Sequence, residues 1–286
     1  MILNRYREVA AALRDPGLEP IGGFAEESAH RAMREQARRL YSSERIAAWR
    51  PRFTSAAERL VDSLSCGELE LVTAFAEPWS LEVAAISTGL LASEARRLVQ
   101  AAQIIFDAGA SPDDESLLAQ SRAATVELAS SFSPPEAAAL HTQAFVALAV
   151  SLPAFLGNAW LALLENRDQL EWLGERTAID ELLRFAGPSL RQYRMRDNER
   201  IELRLAEANR DADEFADPDR LDLRRSNASA HLAFGGGPHA CVGGQLVRTA
   251  AACVMPVFAQ RFENARLLRS EPYGGTAIRG HRVYVT

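Results

Sequence analysis

Cysteine is scarce in this chain. Its 286 residues include three, Cys66, Cys241 and Cys253, an odd and scattered set without metal-ligand spacing that argues against a disulfide framework or a zinc site. A basic excess is missing too: 32 Lys and Arg stand against 38 Asp and Glu, for a net charge of −6, which argues against a general nucleic-acid binder. The opening MILNRYREVAAALRD lacks the apolar stretch of a signal peptide, because Arg5, Arg7 and Glu8 interrupt it. The richest apolar run, 144–164, is broken by Ser151, Pro153, Gly157 and Asn158, so no bilayer-spanning segment is expected. Together these absences predict a cytoplasmic chain with neither a membrane nor a nucleic-acid partner. Internal repeats and low-complexity linkers are absent as well, which predicts one domain over 1–286.

What is present is a core and a helical rhythm. A hydrophobic share of 48% is ample for a sizeable interior. Apolar residues recur three and four apart, predicting helices over 5–14, 27–40, 43–64, 79–88, 93–107, 114–130, 135–164, 168–173 and 177–185. Ser133-Pro134-Pro135-Glu136 reads as a capping serine, an early proline and the acidic third residue of a capping box. Beyond 186 the text becomes short and irregular, with strand fragments expected at 200–205 and 280–285 and a last helix at 242–261.

Residues 231–244 read HLAFGGGPHACVGG. Glycines here permit positive φ and let the main chain approach something flat or bulky. Cys241 stands just before the last predicted helix, where free amides and the helix dipole favour an anion, so a thiolate is plausible there. A phosphate-cradling loop is a rival, but no G-K-[ST] follows and no strand-turn-helix unit carries G-x-G-x-x-G. A buried structural cysteine beside a glycine turn is the plainer alternative.

The pattern Phe234, Gly235, Gly237, His239, Cys241, Gly243, followed by Leu246 and Arg248, resembles the F-G-x-G-x-H-x-C-x-G signature of the cytochrome P450 family. The resemblance implies a mainly α, P450-like fold binding haem b (iron protoporphyrin IX), with Cys241 as the axial thiolate on iron. Backbone amides around the turn would bond the sulfur and tune the iron, Phe234 would shield the thiolate's surroundings, and Gly243 would let the next helix pass under the ring. ELLR, 181–184, resembles the family's E-x-x-R, and DPDR, 217–220, would complete a structural triad of Glu181, Arg184 and Arg220. Alone, ELLR would read as an ion pair on a solvated helix face. The propionates of a haem need cationic partners, and the resemblance assigns His30 and Arg34 of HRAMR, Arg194 and His239 to them. Cys66 and Cys253 read as small buried or helix-face residues.

The likeness runs from NRYREVAAALRDP to AIRGHRVYVT, with departures. The chain is shorter than usual bacterial members, which predicts truncation at the N-terminus, a reduced β region with too little chain between Arg194 and Ala208 for the usual hairpin, and a short roof over 17–30. The distal side would then be more open, or covered by a second copy in a homo-oligomer. Aligning LGNAWLALL places Ala149, Val150 and Ser151 at the distal catalytic positions, with Val150 and Ser151 where the family carries an acid and a threonine. Valine cannot deliver a proton. Pro153 removes the amide that would bond the carbonyl of Ala149, predicting a kink.

Three functions are consistent with these residues. The first is a haem-thiolate oxidoreductase acting on a small organic molecule in a biosynthetic pathway, with dioxygen and electrons from ferredoxin and ferredoxin reductase. Arg31, Arg38 and Arg39 would offer that ferredoxin a docking face. The second uses peroxide, or performs a redox-neutral rearrangement or dehydration. The third is a scaffold without catalysis, which the intact Cys241 loop disfavours.

Overall fold

The computed structural model describes residues 1–20, 27–65, 67–111, 114–274 and 278–286. Cys66 and the central part of the expected roof, 21–26, lie outside the described residues. The chain begins with β1 (Ile2–Leu3), α1 (Tyr6–Arg14) and β2 (Glu19–Pro20). The helices α2 (Glu27–Leu40) and α3 (Ser43–Asp62), strand β3 (Leu69–Glu70), and helices α4 (Glu77–Thr88), α5 (Ala92–Ala110) and α6 (Glu115–Ser130) follow. A central helical run holds α7 (Ala138–Val146) and α8 (Leu152–Glu165). Then come α9 (Ala178–Ala186), β4 (Gln192–Arg196), β5 (Glu199–Leu203), α10 (Leu205–Ala208), α11 (Gly244–Arg261), β6 (Leu267–Gly274) and β7 (Arg279–Val285).

Helix periodicity located most helices because they bury apolar faces; the segment expected as a helix over 168–173 is instead a 3₁₀ turn, Arg167–Trp172. In α9 the buried stripe is Ala178, Glu181, Leu182 and Leu183 with Arg184, an apolar face into which one ion pair is set. The principal core joins three helical segments through stacked rings. Phe75 lies 5.4 Å from Trp160, and Trp160 lies 4.4 Å from Phe258 at an interplanar angle of 12°, offset contacts that add to simple area burial. A second core packs Val9 and Leu13 of α1 against Ile201, Leu203, Leu205 and Leu232.

Strands depart further from expectation. Among the described residues, β1-β5-β4-β2 form one sheet and β3-β7-β6 another. The chain between Arg194 and Ala208 suffices for a hairpin after all: β4 and β5 pair antiparallel from Gln192↔Leu203 to Arg196↔Glu199. Asp197 and Asn198 close it with φ of 50° and 64°, the left-handed pair that suits a two-residue turn. Strand β6 escaped the sequence reading because it is an exposed edge, so it carries no in-out alternation.

Two features of the central run bear on the site. Its start is not capped by Ser133: Pro134 occupies the N-cap without a side-chain bond, and a 3₁₀ turn over Pro135–Ala137 leads into α7. Between α7 and α8, Ala147–Ser151 form a π turn in which the amide of Leu152 bonds the carbonyl of Ala147. The wider turn lies immediately N-terminal to Pro153, which cannot donate, and it is how the helix accommodates the proline. One helical stretch, Pro135–Glu165, is long and apolar enough to cross a membrane, contrary to the sequence expectation, but 72% of its critical window is buried inside the protein. It is a core helix. Gly157 brings it against β7, where a Cβ would stand 2.4 Å from the carbonyl oxygen of His281, and Asn158 bonds both Arg279 and His281 of the same strand.

Candidate functional site

The site is assembled behind α9. Glu181 receives Arg184 through Nε at 2.7 Å and Nη2 at 2.8 Å, a two-pronged pair with both side chains fully buried. A buried carboxylate facing two guanidinium groups needs complete satisfaction, and the second group is Arg225, whose Nε reaches the two oxygens at 3.0 and 3.1 Å. This corrects the expected triad. Arg220 is exposed and contributes its backbone carbonyl, which accepts from Arg184 and Arg225. Arg184 also binds the carbonyls of Asn209 and Pro218, so the cluster fastens the irregular segment 209–225 to α9. The only sequence sign of Arg225 was its place in the Arg224-Arg225 doublet shortly before HLAFG.

That fastened segment leads into the glycine loop. The amide of Cys241 donates to the carbonyl of Phe234 at 2.9 Å, closing the loop on itself. Gly237 adopts φ of +64°, and a Cβ there would lie 2.4 Å from the carbonyl oxygen of Leu13, so only glycine fits both the conformation and the approach of α1. Cys241 is exposed to a cavity of about 330 Å³, while protein surrounds its other sides. That burial pushes its thiol up, and the Gly243 amide, Arg34, Arg248 and the Gly244 amide pull it back down. These opposing influences are those of a sulfur placed to be an anion once a cation faces it.

The cavity has apolar walls and a cationic end. Leu246 and Val247 of α11 stand on one side, and Leu140, Ala144, Ala147 and Leu148 of the central run on the other. Tyr41 also faces it, with its hydroxyl 3.2 Å from Nδ1 of the buried His141. At the cationic end the rings of His30 and His239 stack at 4.3 Å, and Arg34 donates to the carbonyl of Ala240 at 2.8 Å. Arg194 lies behind them, 4% exposed, bonding Tyr193 and Gln192 but leaving its Nε without a partner. Burial first, then His30, Arg194 and Arg34, hold the His239 imidazole below its usual range. Ala149, Val150 and Ser151 occupy the π turn beyond Leu148 and are partly buried; the cavity surface itself is made by their neighbours Ala147 and Leu148. The second free cysteine among the described residues, Cys253, is buried in α11.

A thiol in an apolar cavity, beside two histidines, Arg34 and the buried Arg194 with its unsatisfied guanidinium N–H, suits a flat apolar ligand that carries carboxylates and a thiolate-seeking metal. No protein-family model matches the chain. Cytochrome P450 107B1 of Saccharopolyspora erythraea is 29% identical over 313 residues, covering 92% of this chain and 76% of that protein. The likeness supports a bacterial-type cytochrome P450. A vitamin D(3) 25-hydroxylase of Pseudonocardia autotrophica shares 26% identity with this chain over 92% of the chain and 81% of the relative. Among solved structures, P450BioI, crystallised with an acyl carrier protein ligated to hexadec-9Z-enoic acid, superposes with a TM-score of 0.89 at 21% identity. That match covers 100% of this chain and 91% of the other. The fold is therefore mainly α and P450-like, and the enzyme is of P450 type, a haem-thiolate oxidoreductase.

The residues present fit a haem. Cys241 would ligate the iron; His30, Arg34, Arg194 and His239 would receive the propionates; Leu246, Val247, Ala147 and Leu148 would enclose the macrocycle. When bound, haem supplies the oxidising chemistry, and the protein's part is to hold the sulfur, neutralise the carboxylates and exclude water.

Proposed function

We propose that residues 1–286 form one haem-binding unit that takes haem b on Cys241 and oxidises a small organic molecule in a cytoplasmic biosynthetic pathway. Dioxygen is the oxidant, with electrons from ferredoxin and its reductase. The observation that carries this reading is the exposure of the Cys241 sulfur to an apolar cavity closed at one end by His30, Arg34 and His239. Its test is the spectrum of the reduced protein under carbon monoxide. The parent should show the strongly red-shifted Soret band of thiolate ligation, and Cys241→Ala should lose it. A colourless parent after haem reconstitution, or an unchanged band in the variant, would overturn the assignment.

One observation favours a second reading, in which peroxide or a redox-neutral rearrangement replaces dioxygen. No Asp or Glu lines the cavity among the described residues, and Val150 offers no proton. Ser151, with Ala149 and Val150 beside it in the π turn, is then the hydroxyl at the distal positions that would order a water. Labelled dioxygen decides between the two: incorporation into product supports the first, and product formed at full rate without oxygen supports the second.

A further inference from the structure

Asp180 immediately precedes Glu181 on α9 but serves a different cluster. Its Oδ1 accepts from Arg248 Nε at 2.6 Å and lies 3.2 Å from His231 Nε2. His231 Nδ1 accepts the amide of Ala233 at 3.2 Å, which leaves Nε2 to carry the hydrogen and donate to Asp180. Both bonds hold the Asp180 carboxyl below the ordinary range against the opposing influence of burial. The guanidinium of Arg248 is thereby fixed 4.9 Å from the centre of the Phe234 ring, within reach of a cation–π contact. Phe234 in turn gives its carbonyl to the Cys241 amide.

Gly244 makes this arrangement possible. A Cβ at 244 would come within 3.2 Å of the Phe234 ring and 3.3 Å of Arg248 Nη1, wedging the cation from the loop. All 32 basic side chains of the chain are arginine, whose flat fork can bind a carboxylate while lying over a ring; a lysine could carry the charge but not the fork.

We propose that Arg248, locked in place by Asp180 and His231 over Phe234, is a positioning residue that raises the reduction potential of the iron held by Cys241. The inference rests on the reading of Cys241 as the iron ligand. A fixed positive charge beside the thiolate stabilises the added electron of the ferrous state, and the carboxylate of Asp180 partly offsets it. Charge and scaffolding predict opposite patterns. If Arg248 acts by charge, Arg248→Gln lowers the potential and Asp180→Asn raises it. If the cluster is merely a brace, both variants disturb the loop in the same sense.

The experiment is spectroelectrochemical titration of the haem-loaded parent, R248Q, R248K and D180N, with the carbon monoxide spectrum recorded for each. At a fixed solution potential, R248Q should shift the ferric-to-ferrous ratio roughly three- to tenfold toward ferric, and D180N about two- to threefold toward ferrous. R248K should stay close to the parent. Parent-like ratios in R248Q and D180N, or shifts of the same sign, overturn the proposal while the thiolate band persists. Should R248Q fail to take up haem, D180N against R248K still decides, because a D180N ratio at or below the parent's contradicts it. A thiolate band surviving Cys241→Ala would instead sink the ligand assignment beneath it.

Discussion

The two walls of the cavity are built on different principles. The sulfur wall is held by charge and backbone: Glu181 between Arg184 and Arg225, Asp180 on Arg248, and a loop bonded to itself through Cys241 and Phe234. The opposite wall is held by apolar packing, with Leu148 at 3% exposure and part of the principal core. A wall that must fix one atom uses directional bonds, while a wall that must only exclude water and give shape uses surface area. Polar substitutions should therefore break the first and volume changes the second.

The largest effect expected is at Glu181. Glu181→Gln leaves two buried guanidinium groups facing a neutral amide and should cost about 3–5 kcal/mol, a large part of a typical domain's stability. Urea unfolding would show a much lower midpoint. Arg220→Ala, which keeps the backbone carbonyl, should change stability by less than about 0.5 kcal/mol; a loss as large as that of Arg225→Ala would restore Arg220 to the triad. On the apolar wall, Leu148→Ala should cost about 2–4 kcal/mol through lost contacts and added void, without moving the thiolate band of the haem-loaded protein. Gly157→Ala pushes a methyl against the His281 carbonyl and should cost about 1–3 kcal/mol, read from the same denaturant curves.

The smallest effect is a pH slope. Burial and then Arg45 hold the His141 imidazole below its unperturbed value of 6.5, so the folded protein binds that proton less readily than the unfolded chain. Stability from this group is complete above about pH 6.5 and is lost as pH falls toward the depressed folded value. His239 and His281 are shifted in the same direction, so the measurement is the difference between parent and His141→Gln. The variant should lose less stability between neutral pH and pH 5; an identical slope would show that His141 does not titrate differently on unfolding.

The sulfur wall was legible in the sequence because its chemistry tolerates few substitutes. Phe234, Cys241, Glu181 and Arg184 announce themselves by spacing. Arg225 did not, since nothing local separates a guanidinium that turns inward from one that stays in water, as Arg220 does. The apolar wall was legible only as a helix. Which of Ala147 to Ser151 faces the cavity depends on a π turn that shifts the register after Leu148, and no 3.6-residue count foresees that extra residue. The β4–β5 hairpin was missed for a similar reason: QYRMR and ERIEL carry much charge, and only the Asp197-Asn198 turn marks them as partners.

The contact of Gly237 with the backbone of Leu13 and Arg14 reaches beyond local fit. It makes the first helix an outer keystone for a loop more than two hundred residues downstream, while α11 bears on that loop from within. Trimming away that opening helix would strip a supporting shoulder from the sulfur, so the far end of the polypeptide keeps its most reactive atom in register.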